Sequence, residues 1–290
     1  MSSMMGFSGF GRPRTTATAC AQRSFKSLQR EGDIRDESQY ALVEKGDENG
    51  DDSDSDLEEE ENVLQSIPKS HEAHLIHGSK AISGIDVDAS GSRCITGGLD
   101  SEIRFWHFAA MNQSMKSFRM IEPTEGQAIR QCRYSKTGEM VLVVMGNSQP
   151  KILDRDGTEL MEFLKGDPYI FDLTKTGGHV SMCNDGCWSP TNRGHLATCS
   201  DDSTVRIWDI DANQGHRQSL LAVRCRSSTG KKMPATACSF SNDGRLMAAG
   251  SMDGYLRIWS LASKLRREVD IQKKAHAVES RITSVAFSRN

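Results

Sequence analysis

The sequence predicts an all-β protein assembled from repeated, four-stranded propeller blades, and three observations carry the prediction. An aspartate precedes a tryptophan by six residues three times, as Asp100 and Trp106, Asp202 and Trp208, and Asp253 and Trp259. Each pair brackets the same short strand: Ile103-Arg104-Phe105-Trp106, Val205-Arg206-Ile207-Trp208 and Leu256-Arg257-Ile258-Trp259. A fourth copy, Pro150-Lys151-Ile152-Leu153, keeps the basic and apolar alternation without the tryptophan, and the basic residues of the four copies stand 47, 55 and 51 apart. That period is the length of a propeller blade, not of a helical repeat.

Taken in order, residues 1–66 have little apolar periodicity and read as a disordered tail. Its residues 1–30 carry +5 with no acidic residue, and the run 44–61 holds eleven acidic residues against one lysine. Ser53 and Ser55 each have an acidic residue three positions on, which makes them candidate phosphorylation sites. Blade 1, at about 77–122, takes strands from Ile82 to Val87, Arg93 to Gly97 and Glu102 to Phe108, with an outer strand near Lys116 to Glu122; Glu72 to Ile76 could add a strand ahead of it. Blade 2, at about 127–173, uses Ile129 to Tyr134, Met140 to Met145, Lys151 to Asp154 and Leu160 to Leu164, and a short apolar run, Tyr169 to Leu173, decorates the link that follows. Blade 3, at about 178–226, uses Gly186 to Trp188, His195 to Cys199, Thr204 to Ile210 and Leu220 to Cys225. Blade 4, at about 231–272, uses Thr236 to Phe240, Leu246 to Ala249, Leu256 to Leu261 and Glu268 to Gln272. Residues 276–290 open a fifth unit with a strand from Ile282 to Phe287, so the expected propeller, residues 67–290, is incomplete, its last strand unpaired.

Within each repeat unit period-two alternation sends Val205 and Ile207 to one face and Thr204, Arg206 and Trp208 to the other, as a strand sandwiched between neighbours requires. The aspartate opens a tight turn, most clearly in Asp253-Gly254, because Asp-Gly accepts the positive φ of a two-residue hairpin. Four residues before the turn aspartate come Thr96 and Thr198, and nineteen before those come His77 and His179.

This pattern resembles the WD-repeat β-propeller family, whose blades are pinned by a histidine, a hydroxyl, an aspartate and a tryptophan hydrogen-bonded in series. The resemblance implies two complete sets, His77, Thr96, Asp100, Trp106 and His179, Thr198, Asp202, Trp208. It implies a partial set, Asp253 and Trp259, in blade 4, where Ala249 replaces the hydroxyl and Lys231 the histidine. Blade 2 lacks the set apart from Asn147, so blades 2 and 4 should depend on apolar packing and be looser. Further stretches, Met5 to Gly11, Ser70-His71-Glu72, Lys165-Gly-Asp-Pro-Tyr-Ile170 and Cys199 to Arg206, resemble one branch of the family, the gastrulation-defective homologues. That branch implies a nuclear protein of chromatin and the DNA damage response, linked through the cullin-4 ubiquitin ligase adaptor to histone H2B ubiquitination. The chain departs from the Trp-Asp-x-Arg motif of adaptor-binding propellers, because Trp208-Asp209 is followed by Ile210-Asp211.

Composition narrows the function classes. The net charge of −3 conceals +5 over residues 62–290, too dilute to argue for direct binding of DNA or RNA, although a nucleic-acid-associated propeller is the alternative reading. Eight cysteines lie mostly within expected strands and read as buried thiols in a reducing compartment. His179, Cys183, Cys187, His195 and Cys199 cluster without a Cys-x-x-Cys pair, so no metal or other cofactor is expected. Ser227-Ser-Thr-Gly-Lys-Lys232 glances at a phosphate loop, yet Cys225 stands at its first glycine and Lys232 at its magnesium-binding hydroxyl. No catalytic residues or small-molecule substrate are assigned. The expectation is a non-catalytic, soluble intracellular scaffold for other proteins.

Overall fold

The alternating apolar and β-branched runs pair into sixteen strands, and the computed structural model describes them over residues 73–112, 114–211, 219–227, 229–265, 268–273, 275–276 and 280–288. The basic opening, the acidic run, Ser53 and Ser55 lie outside the described residues. The first sheet contains β1 (Ile82–Val87), β2 (Arg93–Gly98), β3 (Ile103–His107) and β4 (Arg119–Ile121). The second contains β5 (Ile129–Tyr134), β6 (Met140–Met145), β7 (Lys151–Asp154) and β8 (Glu159–Glu162). The third contains β9 (Cys183–Trp188), β10 (His195–Ser200), β11 (Thr204–Asp209) and β12 (Ser219–Arg224), and the fourth β13 (Ala235–Phe240), β14 (Leu246–Ser251), β15 (Leu256–Ser260) and β16 (Glu268–Gln272). Each is an antiparallel meander of consecutive strands.

One register runs through all four. Thr96 faces Arg104, Val143 faces Lys151, Thr198 faces Arg206 and Ala249 faces Arg257 across the second and third strands. The turn between those strands is left-handed at Gly254 (φ 77°). The same turn holds Ser101 at 73° and Ser203 at 67°, a conformation that costs an L-residue and persists because the flanking ladders impose it.

The sheets face one another in chain order, and three apolar clusters fill the gaps. Ile95, Phe105 and Ile129 meet Val143 and Leu153 between the first and second; Leu142, Val144 and Ile152 meet Leu196 and Trp208 between the second and third; Val205, Ile207 and Cys238 meet Met247 and Ala249 between the third and fourth. Innermost strands are tied across each gap by polar side chains: Ser83 Oγ donates to the Ile129 carbonyl, Trp188 Nε1 to that of Arg133 at 3.0 Å, Asn184 Nδ2 to that of Ala235 at 2.8 Å, and the Cys238 amide to Asp185 Oδ2 at 3.2 Å. Close approach here excludes a side chain at Gly84, where a Cβ would sit 2.8 Å from the Cys132 amide nitrogen.

Two expectations are corrected. Of the expected strand from Glu72 to Ile76, residues 73–76 are described and form no strand; the Ile76 carbonyl accepts from Arg104 Nη1 at 3.4 Å. Ile282 to Phe287, expected as an unpaired strand, has no strand conformation, and it does not stand free. Ile282 is buried against Gly250 of the fourth sheet and its carbonyl accepts from Thr236 Oγ1, the contact that Ile129 makes with Ser83 at the first gap. Tertiary packing replaces the missing ladder. Strand ends also shift by up to three residues, most at β4, which starts at Arg119 and not Lys116, and at β9, which starts at Cys183 and not Gly186.

Candidate functional site

The third sheet brings His179, Thr198, Asp202 and Trp208 into one buried chain of hydrogen bonds. The Trp208 indole N–H donates to Thr198 Oγ1 at 2.7 Å, Thr198 Oγ1 lies 2.8 Å from His179 Nε2, and His179 Nδ1 lies 3.0 Å from Asp202 Oδ2. With the threonine hydroxyl donating to Nε2, the imidazole is neutral and its Nδ1–H donates to the carboxylate. Complete burial holds the His179 pKa below its ordinary value, against the pull of Asp202. Burial would raise Asp202, but donors from His179, the Thr204 hydroxyl and the Val180 amide outweigh it and hold the pKa at about 2. Thr204 caps the turn, with its amide and hydroxyl both reaching Asp202 Oδ1, at 2.8 and 2.6 Å.

A hydroxyl, an imidazole and a carboxylate in series have the connectivity of a hydrolase triad. Here the hydroxyl is fully buried and already occupied by the Trp208 N–H, so no substrate carbonyl can meet it. The arrangement satisfies polar groups within a blade and does not activate a nucleophile.

The first sheet joins His77, Thr96, Asp100 and Trp106 with the imidazole turned over. Trp106 Nε1 donates to Thr96 Oγ1 at 2.9 Å, and it is His77 Nδ1 that meets Thr96, at 2.7 Å. His77 Nε2 stops 3.4 Å from Asp100 Oδ1 without a hydrogen bond, so the chain is broken at its last link.

In the fourth sheet Asp253 pairs with a different cation. Arg257 Nη2 lies 2.8 Å from Asp253 Oδ2, and Ser251 Oγ donates to Asp253 Oδ1 at 2.6 Å and accepts from Arg257 Nη1. Trp259 is buried beneath Ala249 and Met247. The expectation that the fourth blade depends on apolar packing is corrected in part, since Arg257 bridges the turn aspartate and a hydroxyl as His179 does in the third sheet. The second sheet does match an apolar description: Leu142, Val143, Val144, Ile152 and Leu153 are buried, and the Asn147 side chain makes a turn bond, accepting from the Gln149 amide at 3.1 Å.

What the sequence pattern did not disclose is the use of the basic residue on the third strand of every sheet. Arg206 is fully buried and donates to the carbonyls of Leu173 and Thr176, fastening the connection that enters its own sheet. Lys151 does the same to Pro123 at 2.9 Å, Arg257 to Arg226 at 2.7 Å and Arg104 to Ile76 at 3.4 Å. The signal was the basic residue shared by the four copies, which spacing alone could use only as a ruler.

The remaining sequence candidates disperse. Cys183 and Cys199 are buried with thiols pushed up by desolvation, the Cys199 thiol to about 11, and Cys187 Sγ lies 3.9 Å from Cys238 Sγ. Among the described residues no group of histidine, cysteine and carboxylate side chains is placed to hold a metal ion. Lys231 and Lys232 follow a turn at Gly230 and lead into β13, so no helix N-terminus faces a phosphate there. No helix among the described residues is long and apolar enough to cross a membrane.

Comparison with known proteins matches the family described as WD domain, G-beta repeat, at residues 68–107, 171–209 and 215–260. Those segments end on the Trp106, Trp208 and Trp259 strands and pass over the second sheet. The chain is 42% identical over 231 residues to "WD repeat-containing protein 70" of Xenopus tropicalis, covering 80% of this chain and 36% of that protein. It is 43% identical over 215 residues to the Homo sapiens protein of the same name, covering 74% and 32%, and 40% identical over 231 residues to the "Gastrulation defective protein 1 homolog" of Drosophila melanogaster, covering 79% and 34%. The chain thus spans about a third of the length of these relatives. Four meander sheets in one register and three matched repeats place the chain in the WD40-repeat family of β-propeller proteins.

Proposed function

We propose that the protein is a non-catalytic scaffold that holds other proteins against the rims of its blades. The observation that carries this is the consumption of the polar machinery: the hydroxyl, imidazole, carboxylate and guanidinium groups with the best geometry are buried and hydrogen-bonded inside the blades. Turns and connecting loops reach solvent together with the outermost strands, and such turns and loops are the surfaces by which repeat propellers recruit partners. The resemblance to the gastrulation-defective homologues implies a finer reading, a nuclear protein of chromatin that meets the adaptor of the cullin-4 ubiquitin ligase. His195 and Asp209, 3.6 Å apart beside Trp208, occupy the strand end where an adaptor-binding Trp-Asp-x-Arg motif would lie, and Asp211 stands in place of its arginine. Adaptor binding by this chain therefore needs a surface other than that strand end. A pull-down with purified adaptor, paired with a salt titration of binding to random DNA, tests both levels. Saturable adaptor binding with negligible DNA binding is the expected result; steeply salt-dependent DNA binding without adaptor binding would favour a nucleic-acid-associated propeller.

A further inference from the structure

Residues 165–176, between the second and third sheets, expose the two most solvent-accessible large apolar side chains among the described residues, Tyr169 at 94% and Phe171 at 89%. Exposed aromatics usually sit on loose chain, but this loop is held at both ends and in the middle. The Gly166 amide donates to the His179 carbonyl at 2.8 Å, and a Cβ at Gly166 would meet the Gly178 carbonyl oxygen at 2.2 Å. The Tyr169 amide donates to Asp167 Oδ1 at 2.9 Å. Asp172 caps a 3-10 turn at Leu173–Lys175 and pairs with Arg224 Nη2 at 2.8 Å, while buried Arg206 grips the Leu173 and Thr176 carbonyls. The blade's own arginine therefore fixes the loop, so presenting the aromatics carries little ordering cost at the moment of binding.

We propose that Tyr169, Ile170 and Phe171 form a docking surface for an acidic peptide segment of a partner protein that also carries aliphatic side chains; this deepens the scaffold reading and rests on it. Rigid exposed aromatics are the usual anchors of interfaces, and a contiguous apolar stretch left in water marks a contact site. Charge sets the sign of the partner. Lys232 Nζ lies 5.8 Å from the Phe171 ring centroid, Lys231 is its exposed neighbour, and Lys165 and Lys175 project at the two ends of the loop. A peptide with aliphatic groups on the rings and carboxylates toward these lysines satisfies both halves. A single nucleic-acid strand fits less well, because Asp167 and Asp172 flank the aromatics and would face its phosphates, and Ile170 between the rings has no face on which a base can stack.

The test pans a random-peptide library against the whole chain and measures the enriched peptides by fluorescence anisotropy on wild type, on Tyr169→Ser with Phe171→Ser, and on Lys231→Glu with Lys232→Glu. A labelled oligo-dT strand is titrated in parallel, and urea midpoints check that the exposed substitutions leave folding unchanged. Enriched peptides are expected to combine acidic and aliphatic residues and to bind the aromatic variant at least about tenfold more weakly, with the lysine variant weakened as well. Peptides that bind wild type and the aromatic variant alike would overturn this surface and leave the scaffold reading standing. Recovery of no binding peptide would overturn both, and oligo-dT binding that is lost in the aromatic variant would replace the peptide with nucleic acid.

Discussion

In the third sheet Trp208 is held by Thr198, His179 and Asp202, while in the second the same register position is occupied by Leu153 opposite Val141, with Val143 where the threonine would be. Strand order and pairing are unchanged between the two. The backbone meander therefore does not need the polar network. What the network adds is a tie between three elements: the turn at Asp202, the second strand at Thr198 and the entering chain at His179. The second sheet packs its core with hydrocarbon side chains and ties its entering chain through Lys151. Hydrophobic burial is non-directional, whereas a buried hydrogen-bond chain fixes each partner's position because any slip leaves a donor unpaired.

The comparison can be broken most severely at Trp208. Its ring packs 4.5 Å from that of Phe163 and its N–H anchors the network, so Trp208→Ala should cost about 3 to 5 kcal/mol, and Leu153→Ala less. Urea midpoints compare the two directly, and equal shifts would contradict a special role for the pinned sheet.

An exchange of chemistry sharpens the point. Thr198→Val leaves the Trp208 N–H and His179 Nε2 without their shared partner, and should cost roughly 2 to 3 kcal/mol despite its near-constant volume. Val143→Thr buries a new hydroxyl opposite Lys151 in an apolar layer and should also destabilise. If either swap were neutral in chemical denaturation, the two solutions would be interchangeable residue by residue.

Acid should weaken the third sheet before the second. His179, with its folded pKa below the ordinary 6.5, favours the neutral form, so its contribution is present above pH 6.5 and falls as the pH drops through its folded value. Asp202, depressed from 3.8 to about 2, contributes about 2 kcal/mol that is present above pH 3.8 and lost as the pH falls toward 2. Urea midpoints measured downward from pH 7.5 should decline, and His179→Gln should flatten the part of that decline nearest pH 6.5.

The smallest effect is expected at the left-handed turns. Gly254→Ala should cost about 1 to 2 kcal/mol, because φ is 77° there. Ser203→Gly should change stability by less than about 1 kcal/mol, since relief at φ 67° is offset by a freer unfolded chain. Thermal melts of the two variants resolve the difference.

How far the sequence reached can be judged from particular residues. The step of six from aspartate to tryptophan and of nineteen from histidine to threonine located residues that the fold brings into contact, because both steps count along strands and tight turns whose geometry is local. Arg257 was legible only as part of a period. Its pairing with Asp253 depends on which way a long side chain turns within its own strand, and no spacing encodes that. The flipped imidazole of His77 was equally hidden, since the sequence names a ring but not which nitrogen faces the hydroxyl.

By itself, then, the sequence determined the all-β class and the four repeats, which follow from alternation, turn chemistry and a period near fifty residues. Tertiary structure alone decided that Arg206 would hold the chain of Leu173 and Thr176, that this grip would present Tyr169 and Phe171 to solvent, and that Ile282 would be buried without a ladder. These outcomes join residues 30 or more positions apart. They depend on how sheets face one another across an apolar gap, a distance that local periodicity does not carry.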